Sequence, residues 1–224
     1  MPKLSVIIPV YNEAGTIRQI IEKISAVGLD IEIVVVDDGS TDGTDKILRS
    51  LRLDHLKVIH HSSNRGKGAA FLTGLSQASG ELVIIQDADL EYDPAEYLKL
   101  VTALCEQKAD LVLGCRFTKG YRGELVHRMG NMFLTLLINT LFKARLNDCF
   151  TCYKVMRRQT LESLALTSRG FELEIEIVSK ALRRKLVIYE VPVSYHPRSY
   201  SEGKKIRIKD GLWAMLNILK YKFA

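Results

Sequence analysis

The chain is expected to fold as an α/β protein: a Rossmann-like, mostly parallel sheet with helices on both faces. Three observations predict this. Short Val/Ile-rich runs recur through the first 115 residues, helical spacings separate them, and a polar or acidic cluster follows each run. The runs are continuous rather than alternating, as in strands covered on both sides. Right-handed crossovers would place the carboxyl ends of the strands, and the clusters behind them, along one crevice.

The elements follow in order. Leu4 to Val10 is the first run, and Glu13 to Val27 carries Ile17, Ile20, Ile21 and Ile24 at helical spacing. Ile31 to Val36 is the second strand, Lys46 to Leu53 a helix, Leu56 to His61 extended, and Ala69 to Ala78 a helix. Glu81 to Gln86 is the fourth strand, Pro94 to Cys105 a helix, and Asp110 to Leu113 the fifth strand. The second half is less regular. Helices are expected over His127 to Ala144, Phe171 to Arg184 and Lys209 to Tyr221, with strands over Cys152 to Met156 and Leu186 to Val191. A basic loop from His196 to Lys205 precedes the last helix and is expected to order over a bound ligand. With neither a repeat nor a long linker, residues 1–224 read as one domain.

Composition narrows the classes. At 224 residues, 47% hydrophobic and 26% charged, with 15 Gly and 5 Pro, the chain is neither a disordered tail nor a fibre. No apolar run reaches the roughly 18 residues of a spanning helix. Met1-Pro2-Lys3-Leu4 leads straight into a strand with no leader pattern, and four cysteines are too few for a disulfide scaffold, so a reduced, cytoplasmic setting is expected. Cys149 and Cys152 read as buried thiols, because structural zinc needs four ligands and no second pair is suitably spaced. His60-His61 reads as a capping or surface pair. Up to Cys115 there are 11 basic and 17 acidic residues; beyond it there are 21 basic and 9 acidic. That asymmetry suits an anionic partner for the second half.

The clusters behind the strands carry the chemistry. They are Pro9-Val10-Tyr11-Asn12-Glu13, Asp37-Asp38-Gly39-Ser40, Asn64-Arg65-Gly66-Lys67-Gly68, Asp87-Ala88-Asp89-Leu90-Glu91 and Gly114-Cys115-Arg116-Phe117. No G-x-G-x-x-G follows the first strand and no G-x-x-x-x-G-K-[ST] appears, which argues against a dehydrogenase or P-loop site. Asp87 and Asp89 flank the small Ala88; on an extended segment they point the same way, and Glu91 continues the spacing if the chain stays extended. Three such carboxylates repel unless a cation joins them. A hard divalent ion carrying a substrate diphosphate suits the group.

Together, residues 6–13, 35–42, 64–68 and 87–91 resemble family 2 glycosyltransferases of the GT-A fold. Gly-Cys-Arg-Phe (114–117), Phe-Glu-Leu-Glu (171–174) and residues 198–206 resemble the branch that contains dolichyl-phosphate mannose synthases and related polyprenyl-phosphate sugar transferases. The resemblance implies that Pro9, Tyr11, Glu13, Val36 and Asp38 hold the base and ribose of a nucleotide-sugar donor. Asp87, Ala88 and Asp89 would meet the ribose and diphosphate. Asp87, Asp89 and Glu91 form the implied metal set, for Mg²⁺ or Mn²⁺, with Asp89 and Glu91 the foremost ligands. Arg116, Arg198 and Lys204 would face phosphates of donor or acceptor, with Asp89, Arg116 and Arg198 as the implied catalytic set. Glu91 stands where that branch commonly has Gln, and Cys115 where Ser is usual.

The resemblance further implies a hexose donor, GDP-mannose first and UDP-glucose next, and a polyprenyl phosphate acceptor. Such a phosphate is already ionised at neutral pH and needs no general base, so an inverting single displacement is expected. The Gln-x-x-Arg-Trp motif of processive synthases is absent; the one tryptophan is Trp213. Asp148 lies near where hydroxyl-acceptor relatives place their base and is expected to act as that base or to bind substrate by hydrogen-bonding the acceptor region or the sugar; transfer to a sugar hydroxyl is the alternative function. A nucleotidyltransferase lacks motif support, and a nucleic-acid binder would leave the acidic crevice unexplained. The apolar stretch Met132 to Phe142 and the last helix, both flanked by basic residues, suit a peripheral position on the cytoplasmic face of a membrane, a homodimer contact or a membrane-anchoring partner.

Overall fold

The alternating signals become one continuous sheet. The structure is a computed structural model that describes residues 2–117, 125–198 and 208–223. Among these, seven strands are formed: β1 Leu4–Val10, β2 Ile31–Asp37, β3 Leu56–His60, β4 Leu82–Ile85, β5 Leu111–Cys115, β6 Lys154–Arg157 and β7 Ile188–Pro192. They stand in the order β3-β2-β1-β4-β6-β5-β7. β1 pairs in parallel with β2 and β4, β2 with β3, and β5 with β7. β6 runs antiparallel between β4 and β5. Because β6 and β7 complete a sheet begun by the first half, no boundary of the fold falls at residue 115.

Eight α-helices accompany the strands among the described residues: α1 Ile17–Ser25, α2 Thr44–Ser50, α3 Lys67–Gln77, α4 Tyr97–Glu106, α5 Leu125–Phe142, α6 Arg158–Ser163, α7 Leu173–Arg183 and α8 Ile208–Phe223. α6 was not expected; a six-residue helix with Leu161 as its one buried side chain is too short to show a period. α2 begins at Thr44, two residues before the expected start. Asp42 Oδ1 accepts from the Thr44 amide at 3.0 Å and its hydroxyl at 2.6 Å, turning the chain into the helix there.

Both faces of the sheet are covered. The neighbours Ile7 and Ile8 point to opposite faces of β1, and both are fully buried. α3 lies so close to β1 that a Cβ on Gly74 would sit 2.5 Å from Ile7 Cγ2. α1 buries Ile17, Ile20, Ile21 and Ile24, the expected stripe. In the second half α5, α7 and α8 pack on one another. Leu134 and Ile138 of α5, and Ala214, Ile218 and Tyr221 of α8, point inward. Their other faces expose Met129, Met132, Phe133 and Leu136, and Trp213, Leu216, Leu219 and Phe223. Among the described residues no helix is long and apolar enough to cross a membrane. Cys149 and Cys152 are buried free thiols, as expected, and so is Cys115, whereas Cys105 is exposed.

The order fixes the site. β2 lies on one side of β1 and β4 on the other, so the chain reverses direction across the sheet at β1/β4. Loops leaving the carboxyl ends on either side part there and open a crevice.

Candidate active site

The crevice begins with two loops laced together. Asn12 adopts φ 53°, a left-handed turn that Asn tolerates better than most residues. Its amide donates to Ser40 Oγ at 2.9 Å, and its Oδ1 accepts from the Thr41 amide at 2.8 Å. The Glu13 amide donates to Thr44 Oγ1 at 3.0 Å and the Ala14 amide to Asp42 Oδ2 at 2.9 Å. These bonds fix Tyr11 and Glu13 relative to the end of β2.

Asp38 organises the third loop. Its buried carboxylate accepts from the amides of Arg65, at 3.0 Å, and Gly66, at 2.8 Å, and from His61 Nδ1 at 2.6 Å. Gly66 has φ 96°, and a Cβ there would lie 2.4 Å from the Arg169 carbonyl oxygen. A Cβ on Gly68 would lie 2.3 Å from that of Ser168. These glycines permit close approach of two backbones, and the tight seat directs Lys67 into the crevice.

The resulting cavity, of about 240 Å³, is lined after β1 by Pro9, Val10, Tyr11 and Glu13, and after β2 by Asp38. Asn64, Gly66, Lys67 and Ala70 add a third side, and Asp87, Ala88, Asp89 and Glu91 a fourth. Phe171, Tyr195 and Arg198 close it from the second half. All four clusters expected to converge after the first four strands therefore do so.

The acidic segment differs from its expected shape. β4 ends at Ile85 and the chain turns through 88–90, with Leu90 at φ 64°. Asp87, Asp89 and Glu91 consequently take three different cationic or hydrogen-bonding partners rather than forming one row. Asp87 pairs with Lys67 Nζ at 2.8 Å, and Lys67 also reaches Glu174 at 2.9 Å. Glu174 in turn pairs with the buried Lys154, which also donates to the Thr151 carbonyl. Asp89 pairs with Arg198 at 3.1 Å, and the same guanidinium grips Glu13 at 2.9 Å. Glu91 accepts from the Tyr195 hydroxyl and from the Arg198 amide, both at 2.8 Å. Glu91 thus tethers the segment that carries Arg198.

Charge is unevenly settled in this cluster. Burial acts to raise the Asp87 carboxyl, but Lys67 outweighs it and holds the group below its usual range. Lys67 is itself held well above the usual ammonium range: burial opposes this, and Asp87, Cys152 and Glu174 overcome burial. Asp89 is pushed up to about 7 by burial first, then by the negative charges of Asp87 and Glu91, with Arg198 offsetting only part. An added cation would relieve that excess. Among the described residues no three His, Cys, Asp or Glu side chains gather as a ready metal cage. One or two hard carboxylates, with phosphate oxygens supplying the other positions, is the donor set that an octahedral Mg²⁺-like ion accepts. Asp87 and Asp89 fit such an ion. Glu91 already accepts from Tyr195 on one oxygen and from the Arg198 amide on the other, and keeps one further acceptor direction on each.

Three further expected residues lie elsewhere. Val36 is fully buried in β2, and its side chain packs toward α3 rather than lining the cavity. Arg116 is buried and its guanidinium faces Asp148, not the crevice: Nε to Oδ2 is 2.7 Å and Nη2 to Oδ1 is 2.8 Å. Asp148 also accepts from the Arg116 amide at 3.1 Å and is fully buried. The Arg116 guanidinium carbon also lies 5.1 Å from the centre of the Tyr195 ring. Lys204 falls outside the described residues. Lys67, Phe171 and Tyr195 were not singled out as site residues. Lys67 was legible in its Gly-Lys-Gly setting. Tyr195 follows β7, whose parallel pairing with β5 brings it to the same edge. His61, expected to cap or lie at the surface, is instead buried against Asp38.

A doubly wound sheet with a crevice lined by carboxylates and by Lys67 and Arg198 at its switch point defines the class: an α/β protein with its candidate site at the carboxyl edge of the sheet. Comparison with known proteins agrees with that class. The glycosyl transferase family 2 profile matches residues 5–165. The hexosyltransferase Agl6 of low-salt glycan biosynthesis in Haloferax volcanii is 32% identical over 204 residues, 88% of this chain and 48% of its own length. A dolichol-phosphate mannosyltransferase of Pyrococcus furiosus is 31% identical, covering 90% of this chain and 59% of that one. A polyprenol monophosphomannose synthase of Mycolicibacterium smegmatis is 30% identical over 89% of this chain and 79% of that one. The chain thus spans about half to four-fifths of these relatives. In fold it is similar to glucosyl-3-phosphoglycerate synthase of Mycobacterium tuberculosis, solved with Mn²⁺, UDP and glucosyl-3-phosphoglycerate; the TM-score is 0.76 at 21% identity, over 99% of this chain and 80% of that one. This chain belongs to glycosyl transferase family 2 and has the GT-A type of α/β fold expected from its motifs.

Proposed function

We propose that this chain catalyses inverting, metal-dependent transfer of a hexose from a nucleotide sugar to a polyprenyl phosphate, with GDP-mannose the leading donor and UDP-glucose the next. The observation that carries the reading is the crevice in which Asp38, Lys67, Asp87, Asp89 and Arg198 converge at the β1/β4 switch point. Two of the similar proteins are named for attaching mannose to a polyprenol or dolichol phosphate, which supports the acceptor class.

In this reading Pro9, Tyr11 and Asp38 hold the nucleoside end, and Ala88 leaves room for the diphosphate between Asp87 and Asp89. Asp87 and Asp89 would hold Mg²⁺ or Mn²⁺, which when bound supplies charge neutralisation to the leaving diphosphate. Lys67 and Arg198 are cations already at the cavity wall, placed to exchange a carboxylate partner for a phosphate oxygen. An oxygen of the acceptor phosphate attacks C1 of the sugar. The C1–O bond to the donor diphosphate breaks, its electron pair stays on that oxygen, and the configuration at C1 inverts. The protein's part is positioning and charge stabilisation.

The alternative, transfer to a sugar hydroxyl, needs a general base with a carboxylate oxygen within reach of that hydroxyl. Asp148 has both oxygens engaged by Arg116 and is fully buried, which favours the phosphate acceptor. The test is a partition assay with labelled GDP-mannose or UDP-glucose, with and without polyprenyl phosphate and divalent metal. Label entering the organic phase only with both lipid and metal is expected. Label transferred instead to a saccharide acceptor would move the reading to the hydroxyl class.

A lipid acceptor also gives meaning to the adjacent apolar faces of α5 and α8, where Met132, Phe133, Trp213 and Phe223 are exposed beside Lys220 and Lys222. We assign these faces to a peripheral position on the cytoplasmic leaflet. Flotation with anionic liposomes is expected. Absence of flotation together with a dimer by light scattering would assign the faces to a second copy instead, and absence of both would leave a membrane-anchoring partner as their occupant.

A further inference from the structure

The acidic turn after β4 is held from beneath by an uncharged group that lies outside the cavity. Gln86, the first residue beyond β4, is fully buried. Its backbone amide donates to the Ile7 carbonyl of β1 at 3.0 Å. Its side-chain Nε2 donates to the Asp87 carbonyl at 2.8 Å. Its Oε1 accepts from two tyrosine hydroxyls: Tyr97 of α4 at 2.6 Å, and Tyr153, one residue before β6, at 2.8 Å. Both tyrosines are fully buried, and the Tyr153 ring packs against Tyr92 and Tyr97, with ring centres 4.5 and 5.6 Å away.

The direction of each bond is settled by its partners. A carbonyl oxygen only accepts, so the end of the Gln86 amide that faces Asp87 is its NH₂ group, and the end that faces the tyrosines is its oxygen. Burial pushes both phenols well above their usual range, so each keeps its proton and donates. Turning the amide over would set its oxygen against the Asp87 carbonyl. The peptide that joins Asp87 to Ala88 is planar, so holding its oxygen holds the plane and the backbone angles on either side. Those angles enter the relative placement of the Asp87 and Asp89 carboxylates, which leave the chain two residues apart. In the proposed site Lys67 and Arg198 turn from these carboxylates to the phosphates of the donor. The bond from Gln86 is made to the backbone and is untouched by that exchange.

We infer that Gln86, clamped by Tyr97 and Tyr153, is a positioning residue for the cation that accompanies the donor: it presets the spread of Asp87 and Asp89 to suit a divalent ion. The inference rests on the reading of the crevice as a metal-dependent nucleotide-sugar site. A nucleotide without metal meets Pro9, Tyr11, Asp38 and Lys67 instead, so its binding should be indifferent to Gln86.

The experiment is calorimetric titration of GDP and UDP, with and without Mn²⁺, into wild-type protein, Gln86→Met and the triple variant Gln86→Met/Tyr97→Phe/Tyr153→Phe. Gln86→Met keeps much of the volume but leaves two buried hydroxyls without their acceptor, so it should melt about 4 °C or more below wild type. The triple variant removes those hydroxyls as well and should recover most of that loss. In both variants we expect the gain that Mn²⁺ gives to nucleotide affinity, about 10-fold or more in wild type, to fall to about 2-fold or less, with metal-free affinity within about 2-fold of wild type. A gain that returns with the melting temperature in the triple variant, or a metal-free affinity that falls as far as the affinity with Mn²⁺, overturns the inference and leaves the functional reading standing. Wild-type protein that shows no gain with Mn²⁺ overturns both. Should Gln86→Met not fold, the triple variant carries the test alone, and a gain kept at its wild-type level overturns the inference.

Discussion

Glu32 and Asp89 are both carboxylates sunk into opposite ends of the same sheet, and the fold treats them in opposite ways. Glu32, near the start of β2, accepts from the hydroxyls of Ser5 and Ser79 and from the Gly80 amide, with Lys3 at 3.5 Å. Burial alone would raise its carboxyl, yet these donors bring it down to about 2. Asp89, beyond the end of β4, has Arg198 for a partner but also two carboxylate neighbours, and rises to about 7. A buried carboxylate whose lone pairs are filled by neutral donors is structural. One left in a field of like charge is disposed to take a ligand.

The comparison can be tested by breaking each end. Asp89→Asn should lower the transfer rate by about 10³-fold or more, since it removes charge where the donor's cation is proposed to sit, while the metal-free protein melts at the same or a higher temperature. Initial rates and thermal melts check both halves. Glu32→Gln should do the reverse. Its amide cannot accept from every donor now facing Glu32, and stability should fall by about 2 kcal/mol after allowance for solvent screening, or about 4–8 °C in melting temperature. Its rate per folded molecule should be unchanged.

pH sharpens the contrast because the two groups carry opposite signs. Glu32 is lower in the native state than its ordinary 4.5, so between that value and about 2 the unfolded chain binds more protons. Its contribution is present above 4.5 and is lost as pH falls toward 2. Asp89 is raised from 3.8 to about 7, so in that window the native state binds more protons and the metal-free protein loses stability as pH rises. Urea midpoints across pH should show Glu32→Gln flattening the acid limb and Asp89→Asn flattening the fall toward neutrality. The smallest effect should come from Tyr195→Phe, which removes the 2.8 Å hydroxyl bond to Glu91. About 1 kcal/mol of stability is expected to go, measurable by the same urea titration.

Much of this was legible in residue order. Period and composition placed the strands, and the clusters behind the first four converged because parallel strands share a carboxyl edge. What was missed has physical causes. Alternation implied that Asp87, Asp89 and Glu91 would share a direction, but the strand ends at Ile85 and Leu90 turns the chain, which no side-chain period records. Arg116 and Asp148 are 32 residues apart, and their pairing depends on packing between the β5 end and a loop of the second half. The links from His61 to Asp38 and from Lys154 to Glu174 are likewise products of the tertiary fold. Each of these residues carries a charge or a hydrogen-bonding group whose partner is distant in the chain.

The most direct test of the account is titration of GDP and UDP into the protein with and without Mn²⁺, repeated on Asp89→Asn. Wild-type protein should bind one nucleotide about 10-fold or more tightly with the metal than without it, and the variant should lose that gain while keeping its fold. Nucleotide binding that ignores both the metal and Asp89, or no binding at all, would contradict the assignment of this crevice as a cation-dependent nucleotide-sugar site.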